Sequence, residues 1–240
     1  ENNKKHIIGN NIIFGGTGSD LTTVLSPEIE KMEPDYSIYP DNNTSYGFIT
    51  RGCIRKCNFC VVPEKEGTIH KVADIKDIVK HKKVKFLDNN ILAYNKHIDI
   101  FEELILKGIK CQFNQGMDIR LINKENSILL SKINYLGEYF FSFDSLSYKN
   151  IIQRKLELLH WIKPFQLKFF VYVHPSMEIS ETVKRVLWLK ENKCLPYIMR
   201  DITCWESKYS NFYIDLSSYC NQPNIEIDPL YYKITRNRIA

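Results

Sequence analysis

Six short apolar runs alternating with helical patterns constrain this chain more than any other feature of its sequence. Runs at 46–50 (YGFIT), 84–87 (VKFL) and 109–113 (IKCQF) have the length and residue types of strands. So do 138–143 (EYFFSF), 166–173 (QLKFFVYV) and 195–199 (LPYIM). Between them the apolar spacing becomes helical: Val72, Ile75, Ile78 and Val79 over 72–80, then Ile98, Phe101, Leu104 and Ile105, stopped by Gly108. Asn123 is placed to cap a helix through Ile133, 147–162 reads as another, and Ser180 is placed to cap a third that ends near Asn192. Such alternation calls for an α/β fold whose parallel sheet has right-handed crossovers, either curled like a barrel or open and doubly wound.

Polar clusters follow the strands. They are 53–60 after the first run, Asp88-Asn89-Asn90 after the second, and 114–120 after the third. Asp144, His174 and 200–204 follow the fourth, fifth and sixth. In a parallel barrel all these loops share the face where active sites form.

The first cluster carries the most specific chemistry. Cys53, Cys57 and Cys60 have the spacing CxxxCxxC, while Cys111, Cys194, Cys204 and Cys220 are scattered. Seven cysteines, an odd count with three crowded together, argue against a disulfide scaffold and for one metal-binding cluster in a reducing compartment. Three thiolates on one loop suit three irons of a cubane [4Fe–4S] cluster and leave the fourth iron open to a chelating substrate. Structural zinc is the alternative, but it normally takes four ligands, and His70, ten residues beyond Cys60, has no partner.

The flanks say less. Residues 11–14 (NIIF) read as a strand before a glycine turn at 15–18 (GGTG), with no Lys-Ser/Thr to make it a phosphate loop. Residues 27–43 hold three prolines and read as an irregular linker. A net charge of +5 has one dense run, 80–85 (KHKKVK), which reads as a solvated helix end. No stretch is apolar and long enough for a membrane span, and no charged apolar leader opens the chain, so a cytoplasmic location is expected. The first residue is Glu1, which implies a missing leader or a fragment.

The segment 52–60 (GCIRKCNFC) resembles the signature of the radical S-adenosylmethionine superfamily, including an aromatic residue before the last cysteine. The likeness covers about 45–204 and implies a partial (β/α)6 TIM-like barrel. An N-terminal extension at 1–44 and an irregular C-terminal tail at 205–240 would flank it. The branch with a cobalamin-binding-like domain in front is the most similar, through 15–18, 34–37 (PDYS), 114–120 (NQGMDIR) and 197–200 (YIMR).

The resemblance implies that Cys53, Cys57 and Cys60 ligate the cluster and that Phe59 lies near the adenine of S-adenosylmethionine. Asp88, Asn89 and Asn90 occupy the position of the motif that holds the methionine amino group, without its glycines. Gln115, Asp118, Arg120, Ser142 and Asp144 are implied to reach the ribose or the methionine carboxylate, and Arg200, in the segment similar to that branch, is a further candidate for binding the cofactor. On their own residues, Asp118 and Arg120 are as well read as a mutual pair, Ser142 as one face of a strand, and Arg200 as a partner of Asp201.

The chain also departs from that branch. It has no DxHxxG-type lower-ligand motif, which argues against cobalamin unless a further N-terminal segment supplies it, and no second cysteine triplet precedes the motif. The expected activity is reductive cleavage of S-adenosylmethionine to start radical chemistry on a substrate the sequence does not identify, methyl transfer included. An electron donor such as a flavodoxin or ferredoxin is the implied partner. The competing class is a non-catalytic zinc- or cluster-stabilised module that binds nucleic acid through its lysine-rich face.

Overall fold

A computed structural model describes residues 12, 14, 16, 20–30 and 32–221. Most of the strand and glycine turn expected at 11–18, and all of 222–240, lie outside the described residues. A short helix α1 (Pro27–Glu30) interrupts the expected linker, and β1 (Thr44–Gly47) follows. β2 (Thr50–Arg51) and β3 (His70–Lys71) pair antiparallel, so the chain between them leaves and returns at one place. That excursion contains α2 (Val62–Lys65) and all three clustered cysteines.

The rest alternates. α3 (Ile75–Ile78), β4 (Lys83–Phe86), α4 (His97–Leu106) and β5 (Lys110–Phe113) complete the first half. α5 (Lys124–Lys132), β6 (Tyr139–Ser142), α6 (Lys149–Leu158) and β7 (Leu167–Val173) come next. α7 (Ile179–Glu191), β8 (Leu195–Arg200) and α8 (Ser210–Asn221) end the described chain.

The fold is mixed α/β with two three-stranded parallel sheets, β1-β4-β5 and β6-β7-β8. Two isolated parallel bridges, Cys111 to Tyr135 and Met117 to Phe141, connect β5 and β6 at the same sequence offset. Pairing lapses between them where the chain turns at Gly116, whose φ is +95°. The described strands do not close into a barrel. Among the described residues no helix is long and apolar enough to cross a membrane.

Pleating sorts the two faces of each sheet. Val84, Phe86, Cys111, Phe113, Phe141, Phe169, Val171 and Ile198 are buried with Phe101, Leu104, Leu130, Ile152 and Leu189 from the helices. The alternate residues Phe140, Ser142, Lys168, Phe170, Tyr172 and Tyr197 are only partly covered. Burial therefore alternates strictly along β7.

Several expectations need correction. The run 46–50 is not one strand, because the Ile49 and Thr50 N–H groups donate to the Asp88 carboxylate instead of to a neighbouring strand. The helix expected over 72–80 keeps only Ile75–Ile78, since the Lys80 and His81 N–H groups donate to Ser45 Oγ. Ser180 is no cap: Glu178 holds that position and makes no side-chain cap bond. Nor is the segment after 204 wholly irregular, for α8 buries Tyr213 and Leu216 and packs on β8.

Candidate functional site

The cysteine loop begins at a point that only glycine fills easily. Gly52 has φ +83°, and a Cβ there would stand 2.4 Å from the Thr68 carbonyl oxygen. This close approach lets Cys53 N donate to Gly67 O at 3.2 Å, closing the neck of the loop. Beyond the neck, Cys60 N donates to Cys57 O at 3.0 Å in a tight turn. Cys53, Cys57 and Cys60 are free and half-buried. Outside the loop, Arg51 pairs with Glu30 and Glu66, and Lys65 Nζ donates to Leu21 O at 3.3 Å.

The polar segment after β4 braces the first half of the loop residue by residue. Asp88, 1% exposed, takes the N–H groups of Ile49 and Thr50 and the Thr50 hydroxyl, the last at 2.7 Å. Asn89 Oδ1 accepts from Gly52 N at 2.9 Å. Asn90 Nδ2 donates to Cys53 Sγ at 3.6 Å, and Arg55 N donates to the same sulfur at 3.3 Å. Burial pushes the Asp88 carboxyl up to about 6, although three donors pull the other way.

The segment after β5 adds a second brace. Asp118 accepts Arg55 Nε at 2.8 Å and Arg120 Nε at 2.7 Å, with Arg120 Nη2 at 3.0 Å. Its own N–H donates to Asn90 Oδ1 at 3.2 Å, joining the two braces. Burial acts to raise the Asp118 carboxyl, but the hydrogen bonds and charges of Arg120 and Arg55 outweigh it and hold it low. The Arg120 guanidinium also lies over the Tyr148 ring, 4.4 Å from its centre.

The second half of the loop faces the other sheet. Phe59 stacks on Tyr172 of β7 with ring centres 4.0 Å apart, and Tyr172 Oη donates to Asp201 at 2.7 Å. Burial raises the Cys57 thiol, and the nearby Asp144 carboxylate and Cys60 add to it while Arg120 opposes. Asp144 is itself raised by burial, against the pull of the Ser142 hydroxyl and of Arg185. The fully buried Arg185 donates Nη1 to Phe143 O at 2.9 Å and Tyr172 O at 3.1 Å, which fixes the ends of β6 and β7 together.

The residues singled out in the sequence therefore divide. Asn89, Asn90 and Asp118 touch the cysteine loop, and Asp88 anchors the chain leading into it. Arg120 and Asp144 act on the Cys57 thiol through their charges, and Ser142 supports Asp144. Gln115 is exposed on the turn after β5, and Arg200 stacks on Trp205 at 4.2 Å at the end of β8. Sequence reasoning missed Arg55, Tyr172 and Arg185. Arg55 lies in the cysteine spacer, and Tyr172 shares the partly covered pleat of β7 with Phe170, so both left a signal. Arg185 left none, sitting on the apolar side of α7.

Among the described residues, no three His, Cys, Asp or Glu side chains close on one point as a single metal ion would require. The three clustered cysteines are free and half-buried. No family model, curated protein or solved structure matches the chain.

Proposed function

We propose that this protein is a radical S-adenosylmethionine enzyme, with Cys53, Cys57 and Cys60 holding a [4Fe–4S] cluster at the ends of parallel strands. One observation carries the reading: three free, half-buried thiols share a turn whose first sulfur already receives two N–H groups. Donors of this kind suit a sulfur that carries negative charge as an iron ligand. When bound, the cluster supplies the electron that splits the sulfonium of S-adenosylmethionine, and a flavodoxin or ferredoxin would deliver that electron.

The chain's own residues orient and enclose. Gly52, Asn89 and Asp118 hold the loop in place against the two neighbouring strand ends. Arg120 and Asp144 flank Cys57 and are the side chains best placed to meet the polar groups of S-adenosylmethionine. Phe59, next to Cys60, stacks on Tyr172 and gives this side of the loop a flat aromatic face. We further propose that the two parallel sheets, joined by the bridges between β5 and β6, belong to a partial (β/α)6 barrel.

Anaerobic reconstitution with iron and sulfide tests the function. The expected result is a brown protein with broad visible absorption that yields methionine and 5′-deoxyadenosine when dithionite and S-adenosylmethionine are added. Alanine at Cys53, Cys57 or Cys60 should abolish that cleavage, whereas Cys111→Ala should largely keep it. A colourless protein holding one equivalent of zinc would overturn the reading.

A further inference from the structure

We infer that Asn90 is a positioning residue that would tune the reduction potential of a cluster held by Cys53, through an N–H···S hydrogen bond to that ligand. The inference rests on the reading that Cys53 binds a cluster iron. Asn90 is 3% exposed, so its amide orientation follows from protein partners and not from water. Its Oδ1 faces the Asp118 N–H at 3.2 Å, a group that can only donate. The oxygen is therefore fixed on that side, and Nδ2 is left facing Cys53 Sγ at 3.6 Å.

The Asp118 backbone that fixes the amide is fixed in turn. The Asp118 side chain is held by Arg55, two residues beyond Cys53, and by Arg120. A closed path thus runs from Cys53 through Asn90 and Asp118 to Arg55, and Arg55 N returns to the same sulfur at 3.3 Å. Among the hydrogen bonds of the described residues, Cys53 receives two N–H donors, so the three ligands are inequivalent.

Donors on a ligating sulfur favour the electron-rich, reduced state and so raise the reduction potential. Loss of the Asn90 donor should make the potential more negative. A carboxylate in its place should lower it further, by setting negative charge against the sulfur.

The test is an EPR-monitored redox titration of reconstituted full-length protein, wild type against Asn90→Leu and Asn90→Asp, with iron counted in each. Asn90→Asp preserves side-chain volume and keeps the test open should the leucine variant fail to fold. The expected order of midpoint potential is wild type, then Asn90→Leu, then Asn90→Asp, all at about four irons per chain. Equal potentials in three proteins with full clusters would overturn the role of Asn90 alone. A wild-type chain that takes up no iron–sulfur cluster would overturn the functional reading, and this inference with it.

Discussion

Arg55 donates its Nε to Asp118 at 2.8 Å, tying the cysteine turn to a residue 63 positions further along the chain. Arg120 meets the same carboxylate from the other side, so one buried acid serves two guanidinium groups. Replacing Asp118 by Asn would leave Arg120, whose side chain is 19% exposed, without a counter-charge. We expect a loss of about 2–4 kcal/mol in chemical denaturation, and faster proteolysis of the loop 53–66. A loss under about 0.5 kcal/mol would mean that the turn is held by other contacts.

Gly52 and Gly108 both have positive φ, at +83° and +60°, yet only Gly52 is enclosed. A methyl group there meets the backbone of Gly67 and Thr68, while at Gly108 it meets nothing within 4 Å. Gly52→Ala should cost about 2–5 kcal/mol and Gly108→Ala about 1 kcal/mol, read from thermal melts of the two variants. Similar losses at both sites would show that the approach to Thr68 does not matter.

Thiol labelling should separate the cysteines into two groups. Burial pushes Cys111 and Cys194 up to about 12 and raises Cys204 as well, which keeps these three buried residues as thiols and out of reach. Brief iodoacetamide treatment of metal-free protein at pH 8, followed by peptide mass spectrometry, should mark Cys53 and Cys60 first, with Cys57 slower because its thiol is raised. Early labelling of Cys111, which is wholly buried in the core, would mean that the β4–β5 region opens readily.

Asp88 should give stability an unusual slope with pH. Its carboxyl titrates near 3.8 when unfolded and about 6 when folded, so the folded state holds the proton more tightly. Stability from this group is therefore greatest at low pH and is lost as pH rises from about 4 to about 6. The loss should be about 2–3 kcal/mol at most. Asp88→Asn removes the titration, so the difference between the two stability profiles should change across that window and hold constant above it. Parallel profiles from pH 4 to 6 would show that Asp88 is not shielded from water as its burial implies.

The strand–helix alternation was legible because pleating and helical period leave marks within a few residues, as along β7, where Leu167, Phe169, Val171 and Val173 alternate with half-buried neighbours. The split between β1 and β2 was not, because it depends on Asp88, nearly forty residues away. Asp118 and Arg120 were readable as a pair from their spacing, but nothing local announces that Arg55 joins them. For α8 a signal existed: Tyr213, Leu216 and Cys220 recur at helical spacing, and it was masked by many polar neighbours. At the site, the sequence drew attention to Asp88, Asn89 and Asn90 as contacts for a small molecule. In the fold they also bond to the chain itself, at Thr50, Gly52 and Cys53, and no local pattern could have told that these partners lie nearly forty residues back.

Asn221 accepts the Ile198 N–H at 2.7 Å and donates its amide to Ile198 O at 3.1 Å, on the outer strand of the β6-β7-β8 sheet. A single side-chain amide thus takes the place of a fourth strand at this position and occupies both groups that an incoming peptide would pair with. The helix that carries it thereby covers this stretch of the strand edge. A chain cut before Ser210 would present β8 as a bare template, and its characteristic failure would be intermolecular strand addition and precipitation.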